Sequence, residues 1–334
     1  MNTIKSTVFQ KKSIWKLILA AILLLLPVIF TGSNYLILIL CFIEIYVVAV
    51  SGLDIVFGYC GQISMGHAAF YCIGTYGSAM LHNLYGVPVM ISMLVSSLLA
   101  AGIGAIIAYP ASKLKFHFLS LATIAFGEII YLVVSHSPGS ITGNFTGIFT
   151  DFINFFGFEI NTNTKFYYFG LACVVIFLAI KVFLVNSKTG RAFTAIRENT
   201  HAADGMGINV RKYKVIAFAT SAFFTAFAGA MYVHLVKFAS PETFMQKQSV
   251  MFLTMLLFGG TGSLLGPIFG SVSVLVIIEM LRSWQEYQML VFGILLLIVI
   301  VVIPGGIYGA CKGLILKITS RFKKSKEVDS DVNS

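Results

Sequence analysis

Apolar residues run through this chain in long, unbroken stretches separated by short polar segments. The stretches do not alternate with polar residues, so they predict helices and not barrel strands. About 20 apolar residues in a helix cross the roughly 30 Å hydrocarbon layer of a bilayer. Ten candidate spans lie near residues 14–31, 35–56, 66–84, 88–109, 118–135, 166–185, 215–236, 249–263, 264–281 and 288–303. The third carries His67 and His82, and only a glycine-rich hinge separates the eighth from the ninth. The expected fold is an all-α polytopic membrane protein of about ten transmembrane helices with glycine-interrupted segments. Composition agrees, because 58% of the 334 residues are hydrophobic and only 11% are charged. A water-facing surface needs about 25% charged residues, which excludes a sizeable soluble domain.

Charge then orients the spans. The net charge is +10. The cations cluster between spans, which reads as a topology signal and not a nucleic-acid surface. Lys5, Lys11, Lys12 and Lys16 sit at the entry to the first span, and Lys113 and Lys115 between the fourth and fifth. Lys188, Arg191, Arg197, Arg211, Lys212 and Lys214 separate the sixth from the seventh, and Lys312, Lys317, Arg321, Lys323, Lys324 and Lys326 follow the tenth. Ten spans put all four groups on one side, so both termini are expected in the cytoplasm. The parts are then a cytoplasmic segment 1–13, one transmembrane domain 14–310, and a basic, polar tail 311–334. The first span resembles a signal peptide but lacks a small-residue cleavage site, and reads as a retained helix. Cys41, Cys60, Cys72, Cys173 and Cys311 form no CxxC pair and read as small buried side chains.

Two loops are long. Residues 136–165 are expected outside, and residues 186–214 in the cytoplasm. The second loop places Ala192, Phe193, Ala195 and Ile196 at helical spacings, offers Thr200 as a helix cap, and closes with Gly205 and Gly207. Such an amphipathic element either rests on lipid or docks a cytoplasmic partner. Two glycine-rich hinges, Gly58 to Phe70 and Gly259 to Pro267, follow apolar runs expected to travel inward. Neither is a phosphate loop, since no Lys follows the glycines. Broken helices mark either a translocation path or tight packing. Small residues recur every fourth position at Ala217, Ser221, Thr225 and Gly229, and at Ala100, Gly104 and Ala108, which predicts close helix packing. Acids within spans are costly and mark candidates: Glu44, Asp54, Glu128 and Glu279, with Glu128 nearest the middle of its span. No Ser/His/Asp, HExxH or DxD constellation points to catalysis.

Several segments, in order, carry a resemblance. Gly58-Tyr-Cys-Gly-Gln-Ile-Ser-Met-Gly-His-Ala-Ala-Phe70 resembles the GYxGQxSxGHAAF signature of branched-chain amino-acid ABC permeases of the M type. Leu121 to Ile130 is similar to their TLAFGEI helix, and Gly143 to Gly147 to their outer loop. Ala195 to Asn199, Ala202-Ala203, Met206 to Asn209 and Tyr213-Lys214 are similar to their cytoplasmic loop. Ser240 to Phe244 and Gly259 to Pro267 complete the set. The resemblance implies that residues 186–214 couple to a cytoplasmic ATPase through Arg191, Ile196, Arg197, Glu198, Ala202, Ala203 and Gly207. His201 stands where the coupling motif has Glu, and the closing Leu-Pro is absent. The hinges and the acid within a span offer Gly61, Gln62, Ser64, His67, Glu128 and Gly262 as a candidate translocation path, and the resemblance adds partners. It implies a second permease subunit, two ATPase subunits and an external binding protein docking near 136–165 and 237–248, in a bacterial cell membrane. ATP and Mg would belong to the ATPase, with no cofactor on this chain. Permeation of urea or short amides, proton-coupled transport through Glu128 or Glu44, and a non-transporting scaffold are the competing functions.

Overall fold

The computed structural model describes residues 24–28, 32–112, 116–155, 158–282 and isolated positions between 287 and 309. Helix α1, Asn34–Asp54, starts where the Ser33 hydroxyl accepts from the Leu36 amide, and runs on into a π-turn, Ile55–Tyr59. Helix α2, His67–Tyr85, ends at Gly86 in the left-handed region, and α3, Val89–Ala111, follows Pro88. After α4, Phe116–Ser135, an irregular loop holds three short strands, β1 (Ile148–Phe149), β2 (Ile153–Phe155) and β3 (Phe158–Ile160). Helix α5, Asn163–Asn186, leads to the short helices α6, Lys188–Glu198, and α7, Thr200–Gly205. Helix α8, Val210–Val236, is followed by β4, Phe238–Ala239, and then α9, Gln246–Gly259, and α10, Gly266–Met280.

Among the described residues, five helical stretches are long and apolar enough to cross a membrane: Asn34–Tyr59, Val89–Ala111, Phe118–Ser135, Asn163–Asn186 and Val210–Val236. Helices α2, α9 and α10 occupy three more of the expected spans. Helix α9 stops at Gly259, four residues short of the expected 263, because Gly260 takes a conformation no helix allows. The expected spans 14–31 and 288–303, the segment 1–13, the tail 311–334 and Cys311 lie wholly or mostly outside the described residues. The helical expectation misses two small antiparallel ladders. One pairs Ile148 with Ala239 and ties residues 136–165 to the segment after α8. The other pairs Ile153 with Ile160.

Burial follows the logic of a lipid solvent. On α3, Ser92, Ser96, Ser97, Ala100, Gly104 and Ala108 are buried, while Ile91, Leu94, Leu98, Leu99 and Ile106 are exposed. On α5, Val175, Ile176, Ile180 and Phe183 are exposed. Large apolar side chains outside and small or hydroxylated ones inside is the arrangement of helices that pack by backbone approach.

Helix α8 is the centre of that packing. It meets α1 at Gly52, α2 at Gly74 and α3 at Gly104. A Cβ at Gly74 would lie 1.8 Å from the Ala226 carbonyl oxygen, one at Gly229 2.0 Å from that of Tyr71, and one at Gly104 2.8 Å from the Ala222 Cβ. Thr75 donates to the Gly229 carbonyl at 2.8 Å, a polar cross-link where the backbones are closest. Gly74→Leu therefore forces α2 off α8 and sharply lowers the folded fraction, since overpacking alone costs about 1–3 kcal/mol and a backbone clash more. Gly102→Leu, with nothing within 4 Å of its Cβ position, leaves the fold intact. Membrane abundance and monodispersity after detergent extraction measure both; equal behaviour of the two variants would refute the packing argument.

Candidate coupling and translocation site

The two glycine-rich hinges are two helix breaks that touch. The first follows the π-turn: residues 61–66 have no regular structure before α2 begins. The second, residues 260–265, separates α9 from α10. A Cβ at Gly58 would lie 2.5 Å from the Gly262 amide nitrogen, and one at Gly262 3.2 Å from the Gly58 carbonyl oxygen. Gly61 and Gly262 have φ of +70° and +68°, which only glycine adopts without strain at such contacts.

The first break and the start of α2 are held by hydrogen bonds from three other helices. Met65 N–H donates to the Thr123 hydroxyl of α4 at 3.1 Å, and Ala68 N–H to the Ser249 hydroxyl of α9 at 2.9 Å. His67 pairs with the Ser64 hydroxyl at 3.0 Å through Nδ1 and with the Ser221 hydroxyl of α8 at 2.6 Å through Nε2. Gln62 donates to the Cys60 sulfur at 3.2 Å, while its buried side-chain oxygen has no partner among the described residues. Gln62, Ser64 and His67 are all buried. Backbone without helical bonds is tolerated in such a setting only because protein supplies the partners.

A buried ion pair lies beside the breaks. Asp54 accepts from Lys181 Nζ at 2.8 Å through one carboxylate oxygen and from the Gly262 amide at 2.7 Å through the other. Lys181 donates also to the Ser263 carbonyl at 3.2 Å. Both side chains are at most 1% exposed. Removing one partner of such a pair costs about 3–5 kcal/mol, because the other charge is left buried alone.

Helices α6 and α7 fold the segment expected to couple, and two features differ from the sequence reading. Asn199, not Thr200, caps α7: its side-chain oxygen accepts from the amides of His201 and Ala202, both at 3.0 Å. Ile196 and Ala203 are buried with Phe193 in the chain's own core, so they anchor the element and present nothing outward. Arg191, Glu198, Ala202 and Gly207 are exposed, as is Met206 at 83%, an apolar side chain the sequence had not singled out as a site residue. Arg197 is exposed as well, but its guanidinium donates to the Gly58 carbonyl and its stem packs over Gly61.

Glu128 is not enclosed within this chain. It sits midway along α4, but on the exposed face with Leu121 and Leu132, not in the interior. Glu44, like Asp54, is buried: it packs on Gly170 of α5, and neither carboxyl oxygen has a hydrogen-bond partner among the described residues. Glu279 accepts from the Tyr35 hydroxyl at 2.6 Å, joining the end of α10 to the start of α1.

These features define a helical membrane protein with paired helix breaks beside an amphipathic element outside its long helices. Residues 35–300 match the family model described as branched-chain amino acid transport system / permease component, and the chain belongs to that family. It is 30% identical over 287 residues to a high-affinity branched-chain amino acid transport system permease protein, LivM, of Escherichia coli, covering 79% of this chain and 67% of that one. A probable LivM of Methanocaldococcus jannaschii is 24% identical over 324 residues, covering 81% and 92%. The LivH permease protein of Escherichia coli is 27% identical over 289 residues, covering 79% and 91%. No solved structure matches the chain.

The tight seat of Gly66 gives a local test. A Cβ there would lie 2.3 Å from the Thr123 carbonyl oxygen. Gly66→Ala displaces α4 from the break and lowers uptake by more than it lowers protein level. Uptake per molecule equal to the unaltered chain would show that the α4 contact does not matter for transport.

Proposed function

We propose that this chain is a permease subunit of an ATP-driven importer for branched-chain amino acids, contributing half of the path and working with partner chains. The observation that carries the reading is a family match over nearly the whole membrane region, which includes both helix breaks and the α6–α7 element. In this reading the chain crosses a bacterial cell membrane ten times with both termini in the cytoplasm. Helices α6 and α7 face two ATPase subunits, which bind ATP and Mg. A second permease subunit completes the path, and an external binding protein delivers substrate at residues 136–165 and 237–248. The ladder that joins β1 to β4 supports the last point, because it makes one surface of those two segments.

The exposed Glu128 supports a partner on α4. A carboxylate at the centre of a lipid-facing helix costs about 2.5–3.5 kcal/mol by insertion scales, which a polar partner or a watery path removes. The α4 face then belongs to the subunit seam, and Glu128 to the path between subunits.

The experiment is uptake of labelled leucine by vesicles holding the chain with its second permease, ATPases and binding protein. Uptake needs ATP and survives collapse of the proton gradient; uptake without any ATPase would overturn the reading. Arg191→Glu and Gly207→Trp alter the exposed face of the coupling element and are expected to weaken ATPase association while the chain still accumulates in the membrane. Unchanged association in both would place docking elsewhere. Glu128→Gln is expected to lower uptake with assembly intact, and a wild-type rate would remove Glu128 from the path.

A further inference from the structure

The buried pair and Arg197 make a closed ring of contacts. Arg197, on α6, donates to the Gly58 carbonyl. Gly58 packs directly on Asp54: a Cβ there would lie 1.8 Å from the carboxylate oxygen Oδ1. Asp54 binds Lys181 of α5 at 2.8 Å. Helix α5 runs five residues on to Asn186, and Ser187 joins it to α6. The second break hangs on the same ring, since Asp54 holds the Gly262 amide and Lys181 the Ser263 carbonyl. The Lys181 ammonium also stands 5.8 Å from the centre of the Tyr59 ring, in the π-turn.

We propose that Asp54 and Lys181 are positioning residues for coupling: they bind the two helix breaks to each other and to α6, so that displacement of α6 carries both breaks together. The proposal rests on the reading of α6–α7 as the ATPase-facing element. Each member of the ring uses a directional bond at a defined atom. Apolar packing would hold the same elements together without fixing their register, and a buried ion pair is a costly way to obtain stability alone. Both carboxylate oxygens are engaged, one by the cation and one by backbone, so the second break cannot shift without stretching a bond to the end of α1, which leads through the π-turn into the first. Arg197 is the surface end of this arrangement, and Lys181 the interior end.

The test uses the reconstituted transporter and reads leucine transported per ATP hydrolysed, together with ATPase association. Asp54→Asn/Lys181→Met removes both charges, leaves no buried ion unpaired, and keeps an oxygen facing the Gly262 amide. It is expected to accumulate and to bind the ATPase, with transport per ATP about fivefold or more below wild type. Arg197→Gln cuts the ring at its exposed end, leaves the buried pair in place, and is expected to lower the same ratio. A purely structural pair would change protein level without moving this ratio. A wild-type ratio in the double variant overturns the proposal. So does a wild-type ratio in Arg197→Gln, whether or not the double variant accumulates. Failure of the unaltered chain to bind the ATPase would overturn the docking reading instead.

Discussion

Close approach of α8 to α1, α2 and α3 is the constraint on which the other features rest. Lipid tails are as apolar as the side chains they would replace, so burying leucines against each other gains little in a bilayer. What remains is dispersion between well-fitted surfaces, small per contact and large in sum, together with hydrogen bonds between helices. Both require backbones to come near. Glycine at 52, 74, 104 and 229 permits that approach. The hydroxyls of Thr75 and Thr225 then reach carbonyls on neighbouring helices, those of Gly229 and Ala49. The three helices α1, α2 and α3 take their positions against α8 from these contacts. Thus the breaks, which lie at the ends of α1 and α9, are held at a fixed place.

Much of this packing was legible in the sequence. The rows of small residues on α3 and α8 have a period of about four, and that period survives into the fold as one buried face. Glycine spacing marked the breaks, since a run of glycines cannot sustain a helix between apolar partners. Rotation about an axis was less legible. Helix α4 is apolar nearly all round, so its sequence carries no preference for which side faces in. Glu128 could be placed along the helix but not around it, and it lies on the exposed side. Pairing was illegible for a different reason. Asp54 and Lys181 are 127 positions apart, and each alone reads as a costly residue near the end of a span. Only the fold brings them together. Motif likeness put Arg197 in the coupling set, but its guanidinium turns to the Gly58 carbonyl because Gly61 leaves room for its stem.

The polar contacts divide by location. In the middle of the bundle they include hydroxyl-to-carbonyl bonds, such as Thr75 to Gly229, which add modestly to packing and involve no charge. Beside the α6 element they include full charges with several partners each. This contrast has a physical basis. A charge buried in protein is expensive unless every bond is made, and its energy falls off sharply when geometry is lost. A site built that way discriminates strongly between the arrangement that satisfies it and any other.

That property suits a junction between moving parts better than a static core. A packed apolar contact can slide by small steps, whereas a saturated ion pair either holds or is replaced by another set of partners. Where two helix breaks meet a surface helix, discrete alternatives are what a transport cycle needs, because a path open to both sides at once would leak. The glycines supply backbone freedom at the breaks, and Asp54, Lys181 and Arg197 limit how that freedom is used. Neither group suffices alone: breaks without the ring would move independently, and the ring without breaks would have nothing to move.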